Sequence, residues 1–371
     1  MNADITTGVE MELWVVDEHG QLCDGEGLAD AHDRIKPEFI DPLLEVQTEP
    51  HDSVAGLRRD LQEVLTAAID AAEADDKQLV PLGTPLTDAD APVNCDRGRL
   101  YERIYGDGVA SAKNCAGTHV HFEKTDVVRQ LNLLTALDPA LALVSSSPYY
   151  RGEKRYSSSR ADGYRTECGP AFRQFCDLWS YVDSVDEWQS RVEGAYDDFV
   201  AIAADRGVDP DLVEEEFDAE NTVLNPVRLR RCQPTVEWRA PDAALPSQIL
   251  RLAGDVRELV AQVDSTPVEI GGRGVSTDRI DVPEFSDLWE LSRTAIEDGL
   301  DSGRVRSYLR SFGLDPDAYR PITRKIYGPQ SLSEPTACEL RLEYARRLRE
   351  DVESLTPVAR TATVDREPQS I

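Results

Sequence analysis

The run Ile5-Thr6-Thr7-Gly8-Val9-Glu10-Met11-Glu12-Leu13-Trp14-Val15-Val16-Asp17 decides the fold of this chain. Val9, Met11, Leu13 and Val15 fall on one face of an alternating pattern. Glu10, Glu12, Trp14 and Val16 fall on the other. A period of two marks a β-strand, and Asp17-Glu18-His19-Gly20 reads as the turn that ends it. Side chains at i and i+2 leave a strand on the same side, about 6.5–7 Å apart at a rise of about 3.3 Å. Glu10 and Glu12 therefore stand side by side. Such a pair belongs either to a solvated sheet face or to a cation site, and recurrence of the pattern separates the two.

The pattern recurs. Residues 43–48 form a second strand candidate, and Glu45, Gln47 and Glu49 repeat the spacing there and just beyond. Residues 114–122 form a third, with His119 and His121 on one face. Residues 234–240 form a fourth, with Glu237 and Arg239 paired in the same way. Residues 79–83 are short, apolar and bounded by Pro and Gly, as a strand is. Ser53 caps an amphipathic helix with Leu57, Leu61, Leu65 and Ile69 at helical spacing. Further helices are expected over 127–137, 139–144, 185–206, 248–263, 288–299, 304–312 and 334–353.

The gaps between strands are irregular and are not filled by single helices. That favours an α+β fold with a mainly antiparallel sheet of about six strands and flanking helices. Residues 1–355 read as one domain and 356–371 as a polar, frayed tail. No phosphate loop of the Walker or dinucleotide type is present; Gly271-Gly272-Arg273-Gly274 reads as a flexible turn.

His-x-His is equally the pattern of two surface histidines or half a zinc site. The chain has five His and places two of them here. No Cys pair or His-Glu-x-x-His helix completes a zinc set. Carboxylate-rich donors suit hard cations such as Mg²⁺, with Mn²⁺ also tolerating imidazole. Metals on such a face can hold a nucleoside triphosphate without a phosphate loop. Residues 145–170 are rich in Ser, Tyr, Gly and Arg. They read as a polar loop in which Arg151, Arg155, Arg160 and Arg165 form a cationic island for carboxylate or phosphate.

Taken in order, these motifs resemble one family. Gly8-Val9-Glu10-Met11-Glu12-Leu13, Leu44-Glu45-Val46-Gln47-Thr48 and Cys115-Ala116-Gly117-Thr118-His119-Val120-His121 are similar to the first half of a type-2 glutamate–cysteine ligase. Ser145 to Tyr150 with Gly152, and Tyr156-Ser157-Ser158-Ser159-Arg160, resemble that family's substrate loop. Thr235-Val236-Glu237-Trp238-Arg239-Ala240-Pro241-Asp242 resembles its late acid–arginine strand. The resemblance implies a glutamine-synthetase-like or guanido-kinase-like sheet carrying a carboxylate–amine ligase that uses ATP and Mg²⁺, with Mn²⁺ as a substitute.

It further implies that the γ-carboxylate of glutamate attacks ATP, and that cysteine displaces phosphate from the γ-glutamyl phosphate. Glu10, Glu12, Glu45 and Glu237 would hold metal, with His119 or His121 as a further ligand or phosphate contact. Arg239 and Arg160 would be catalytic. His119, His121, Arg165 and Tyr156 would lie at the nucleotide. The expected partners are glutamate, cysteine and ATP, with a homodimer as the oligomer considered. Ligation to another amine, phosphotransfer to a guanidine, and non-catalytic metal or nucleotide binding stay open beside this reading.

Global composition limits the rest. Hydrophobic residues make up 40% of the 371, enough for a core. No run reaches the roughly 18 apolar residues of a membrane span, and the N-terminus lacks signal-peptide features, so a cytoplasmic protein is expected. Seven cysteines without a C-x-x-C pair read as reduced thiols, none needed by the chemistry. The net charge is -30. It opposes non-specific binding to nucleic acid or anionic membrane. Lysine is confined to six positions (36, 77, 113, 124, 154 and 325), and acid excess with scarce Lys suits a very salty cytoplasm. The thermal midpoint is therefore expected to rise with KCl up to the molar range, where the Debye length is about 3 Å. A midpoint flat across that range, measured by scanning calorimetry, would contradict it.

Overall fold

The computed structural model describes residues 5–231 and 233–355. The expected C-terminal tail, 356–371, lies outside them.

The alternating run forms β1 (Thr7–Asp17). Around it lie β2 (Ile35–Pro37), β3 (Leu43–Gln47), β4 (Lys77–Val80) and β5 (Thr118–Glu123). After the small hairpin β6 (Tyr149–Tyr150) and β7 (Glu153–Lys154) come β8 (Val227–Leu229) and β9 (Thr235–Trp238). One seven-stranded sheet runs β2-β3-β1-β5-β9-β8, with β4 pairing the second half of β1. Every pairing in it is antiparallel. The fold is thus α+β as expected, with one strand more than the sequence suggested.

The two faces of β1 have different fates. Val9, Met11, Leu13 and Val15 are buried with Leu44, Val46 and Val120 against helices Val54–Ala74 and Pro246–Val260. These helices supply Leu57, Leu61, Leu65, Ile249, Ala253 and Val256 to the same core. Ser53 caps the first of them, accepting from the Gly56 N–H at 3.2 Å. On the other face, Trp14 and Val16 are covered by a second apolar cluster, and the Trp14 indole donates to the Leu82 carbonyl at 2.8 Å. Glu10 and Glu12 are left facing an open cleft.

Three expectations change. Residues 139–144 form a 3-10 helix, Asp138–Leu143, with Pro139 in its first turn, where a missing N–H is tolerated. Residues 145–170 are not a solvated loop. They contain β6, β7 and the helix Ser159–Thr166, and Ser145, Ser146, Ser147, Ser158 and Ser159 are fully buried. The cationic island also dissolves: Arg151 pairs with Asp88, Arg155 with Glu167, and Arg165 with buried Asp138. The Gly271–Gly274 turn links β10 (Val268–Ile270) to β11 (Gly274–Val275) in a small sheet completed by β12 (Ile280–Val282). Gly271 and Gly274 have φ of 117° and 104°, which glycine adopts without penalty. No helix among the described residues is long and apolar enough to cross a membrane.

The helix Glu334–Ser354 closes over β4 and the second cluster. Its fully buried Arg341 donates to the carbonyls of Pro85 and Gly20 at 2.8 and 3.0 Å, and pairs with Glu334 at 2.6 Å. Arg341→Ala strands two buried carbonyls, so it should lower the unfolding free energy by about 3 kcal/mol. Urea titration measures this, and a loss within experimental error would show the helix is held by apolar packing alone.

Candidate active site

Register converts the four sequence patterns into one constellation. Across β3, β1 and β5, Gln47 opposes Glu10 and Glu10 opposes His119. Glu45 opposes Glu12. His121 opposes Gly8 on one side and Glu237 on the other. Glu237 in turn opposes Arg228 on β8. Each partner lies on the face that Glu10 and Glu12 share, because all the strands keep the same two-residue period.

The resulting distances are short. His119 Nδ1 lies 3.2 Å from Glu10, and His119 Nε2 lies 3.6 Å from Glu12. His121 Nε2 lies 3.3 Å from Glu10. Arg239 donates to Glu237 at 2.6 Å and also reaches His119 Nδ1 at 3.2 Å. Arg228 grips Glu237 with bonds of 3.0 to 3.2 Å. Glu12 accepts the Gly117 N–H at 2.5 Å.

These contacts split the carboxylates into two electrical classes. Burial alone would raise the pKa of Glu10, but hydrogen bonds from His119 and His121 outweigh it and hold the group well below the usual range. Burial of Glu237 is likewise outweighed by Arg228 and Arg239, so it too stays ionised. Glu38 and Glu45 lack such partners. Burial, reinforced by Glu12, pushes Glu38 up to about 8. Burial, reinforced by Glu38, Glu10 and Glu12, raises Glu45 as well. Burial and the nearby Arg239 lower the pKa of His119, favouring the neutral ring that ligates metals.

The face opens into a cleft of about 1000 Å³. Glu10, Glu12, Glu38, Glu45 and His119 line it together with Arg97, Arg160, Arg228, Arg230 and Arg239, and Arg239 touches His119 itself. Tyr101, Tyr105 and Tyr164 add aromatic wall. The donor set fits a hard divalent cation. Three overlapping groups have ligand atoms within 4.8 Å of one another: Glu10, His121 and Glu237; Glu10, Glu45 and His119; Glu12, Glu38 and Glu45. The buried Nε2 atoms of His119 and His121 face Glu12 and Glu10 at 3.6 and 3.3 Å and have no other partner among the described residues.

Glu10, Glu12, Glu45, His119, Arg160 and Arg239 are thus brought to the cleft, with Glu237 and His121 directly behind. Glu49 is not: it is exposed at the end of its strand, where its N–H donates to Asp60. Arg165 and Tyr156 are not either. Arg165 is consumed by a bidentate pair with Asp138 at 2.7 and 3.0 Å, and with Tyr156 it borders a separate cavity of about 280 Å³. They are i+5 and i−4 from Arg160, and the turn of the Ser159–Thr166 helix points Arg165 away from the cleft. Sequence reasoning missed Glu38 and Arg228. Glu38 follows an edge strand of three residues, too short for periodicity. Arg228 on β8 and Arg230 just after it keep the spacing of two, a signal that was present but brief.

Adding Mg²⁺ to the metal-free protein at pH 7 should release protons, because Glu38 is mostly protonated there and a cation requires the carboxylate. Calorimetric titration in two buffers of different ionisation enthalpy counts them. Glu38→Gln should reduce the count. Proton-neutral binding would place the cation elsewhere.

The chain is 30% identical over 278 residues to a Salinispora arenicola protein named "Putative glutamate–cysteine ligase 2", covering 70% of this chain and 67% of that protein. It is 29% identical over 264 residues to a similarly named protein of Rhodococcus jostii, covering 65% of this chain but only 63%, under two-thirds, of the relative's length. Among solved structures, a bifunctional glutathione synthetase from Pasteurella multocida superposes with a TM-score of 0.60 at 14% identity, over 94% of this chain and 53% of that one. A glutamate–cysteine ligase from Francisella tularensis, in complex with AMP, gives 0.55 at 14% identity, over 95% and 91%. At that identity the likeness concerns the fold. The sequence model of glutamate-cysteine ligase family 2 matches residues 6–279, a span that contains every donor from Glu10 to Arg239, and the chain belongs to that family.

Proposed function

We propose that this chain is an ATP-dependent carbon–nitrogen ligase that joins the γ-carboxylate of L-glutamate to L-cysteine. One observation carries the reading: overlapping groups of carboxylate and imidazole donors lie on one sheet face, in a cleft that is also lined by arginines. The cleft volume of about 1000 Å³ accommodates a nucleotide and an amino acid together. Residues 1–355 are proposed to act as one catalytic unit.

The glutamate γ-carboxylate oxygen attacks the γ-phosphorus of ATP, the bond to the β-phosphate oxygen breaks, and ADP leaves. The cysteine amine then attacks the acyl carbon, phosphate leaves, and the amine loses a proton. Phosphoryl transfer needs positioning and charge neutralisation more than covalent help from protein. Bound Mg²⁺ would supply neutralisation of the phosphates; Glu10, Glu12, Glu38, Glu45 and His119 would hold it. Arg239 is fixed by Glu237 and keeps a permanent positive charge beside His119 for the transferring phosphoryl group. Arg160 offers a planar donor fork to a substrate carboxylate.

The test is phosphate release in high KCl with ATP, Mg²⁺ and glutamate across a panel of amino acids, with the product identified by mass. Cysteine should give a maleimide-reactive product of the mass of γ-glutamylcysteine. Turnover with a different amine would leave the ligase class and change the product; no phosphate release with any amine would leave a binding protein. Glu12→Gln should reduce turnover by about two orders of magnitude or more while folding is nearly unchanged. Wild-type activity in that variant would show the strand face to be merely solvated.

A further inference from the structure

We infer that Asp242 is a positioning residue that sets Arg160 in the cleft through the first turn of the Ser159–Thr166 helix. The inference rests on the ligase reading for its kinetic consequence, though not for its structural one.

Asp242 is fully buried, and no cation lies within ion-pair distance of its carboxylate among the described residues. Burying a carboxylate is costly unless hydrogen bonds offset the loss of water. Three do so here. The Ser146 N–H donates to Oδ2 at 2.9 Å, the Ser147 hydroxyl to Oδ2 at 2.7 Å and the Ser158 hydroxyl to Oδ1 at 3.1 Å. All three donors are fully buried and belong to the segment that leads to Arg160.

The capping pattern shows what this arrangement does. Ser158 occupies the N-cap position, where a serine hydroxyl ordinarily accepts from its own helix. It makes no such bond; its hydroxyl is turned to Asp242, to which it donates. The helix is capped from a distance instead: the Arg160 N–H donates to the Ser147 hydroxyl oxygen at 3.0 Å, and that hydroxyl donates onward to Asp242. The Ser159 N–H donates to the Ser147 carbonyl at 2.8 Å. The backbone of Arg160 is thus referred to one carboxylate through a single intervening oxygen.

The same residue is tied to the sheet. The Thr118 hydroxyl donates to the Asp242 carbonyl at 3.1 Å, and the Thr118 N–H donates to Pro241 at 3.0 Å, just before His119. A Cβ on Gly83 would overlap the Asp242 carboxyl, and a Cβ on Gly117 would overlap the Arg160 guanidinium. Glycine at both places lets the carboxylate and the guanidinium settle against the strand ends. Among the described residues the Arg160 side chain makes one hydrogen bond, to the Ala240 carbonyl at 3.3 Å, and its Nε makes none. Arg160 lines the cleft. Displacing such a fork by an ångström is enough to degrade substrate alignment.

The experiment combines a mutant cycle with a readout that needs no substrate. Asp242→Asn keeps the shape but removes the charge that orders three donors. Ser147→Ala cuts only the link to Arg160 and keeps the buried carboxylate, so it serves where Asp242→Asn does not fold. Each should raise the KM for glutamate about tenfold or more, and that for ATP by less than about threefold. In an Arg160→Ala background the same changes should add little, since their effect runs through Arg160. In parallel, the Arg160 Nε–H resonance, identified by its loss in Arg160→Lys, should shift or broaden in both variants relative to the wild-type chain.

Additive effects in the Arg160→Ala background would overturn the inference. So would an unchanged Arg160 resonance alongside a lowered thermal midpoint, which would make Asp242 a structural residue only. If the wild-type chain ligates no amine, the ligase reading fails by itself while the resonance still decides the role of Asp242.

Discussion

The side-by-side placement of Glu10 and Glu12, imposed by the period of β1 at the middle of the sheet, is the constraint on which the surrounding structure depends. Two carboxylates on a buried face repel each other and lose water, and the cost must be met by neighbours. The neighbours come from the adjacent strands by register. His119 and His121 on β5 stand within 3.2 to 3.6 Å of the two carboxylates. Glu237 on β9 is a further acid, and it needs Arg228 and Arg239 to remain ionised. The acid on each strand is thus met by a partner on the next.

The compensation is incomplete at one end only. Neither Glu38 nor Glu45 makes an ion pair with a basic side chain among the described residues, and burial with neighbouring carboxylates raises both pKa values. A structural ion-pair network would balance its charges; this one leaves an acidic excess beside an arginine-lined wall. Such asymmetry costs stability and is maintained where a cation is to be bound, since perturbed carboxylates cluster at functional sites. The arginines matter for the opposite reason. In a chain of net charge -30, they make the part of the cleft they line locally favourable to anions that an acidic surface repels.

Much of this was legible in the sequence because β-periodicity is local. Glu10, Glu12, Glu45, His119, His121 and Glu237 announce themselves by spacing of two within strands that the structure contains, and Arg239 continues the spacing one residue beyond β9. What failed were features decided by tertiary contacts. Glu38 joins the site because β2 pairs β3, with Lys36 opposite Glu45, and three residues carry no periodic signal. Arg165 and Tyr156 looked equivalent to Arg160 because composition does not show which side of a helix faces the cleft. The serines of residues 145–159 looked solvated because serine usually is. Ser146, Ser147 and Ser158 are buried here as donors to Asp242, a partner that lies some 90 positions away in the chain.

That last miss explains how the cleft combines a rigid floor with a precise wall. The floor is a ladder of backbone hydrogen bonds, and its donors need no further support than register. The wall is a segment of short elements, and the arginine in its helix carries about 2 kcal/mol of rotamer entropy that must be restrained for its fork to be useful. A hydrophobic anchor would bury the segment without fixing its rotation. A carboxylate with directional bonds to Ser146, Ser147 and Ser158 fixes both position and rotation, and it does so from the strand end that also carries Glu237 and Arg239. Floor and wall are therefore referenced to the same strand, so that strand sets both the distance and the orientation between the acidic donors and Arg160.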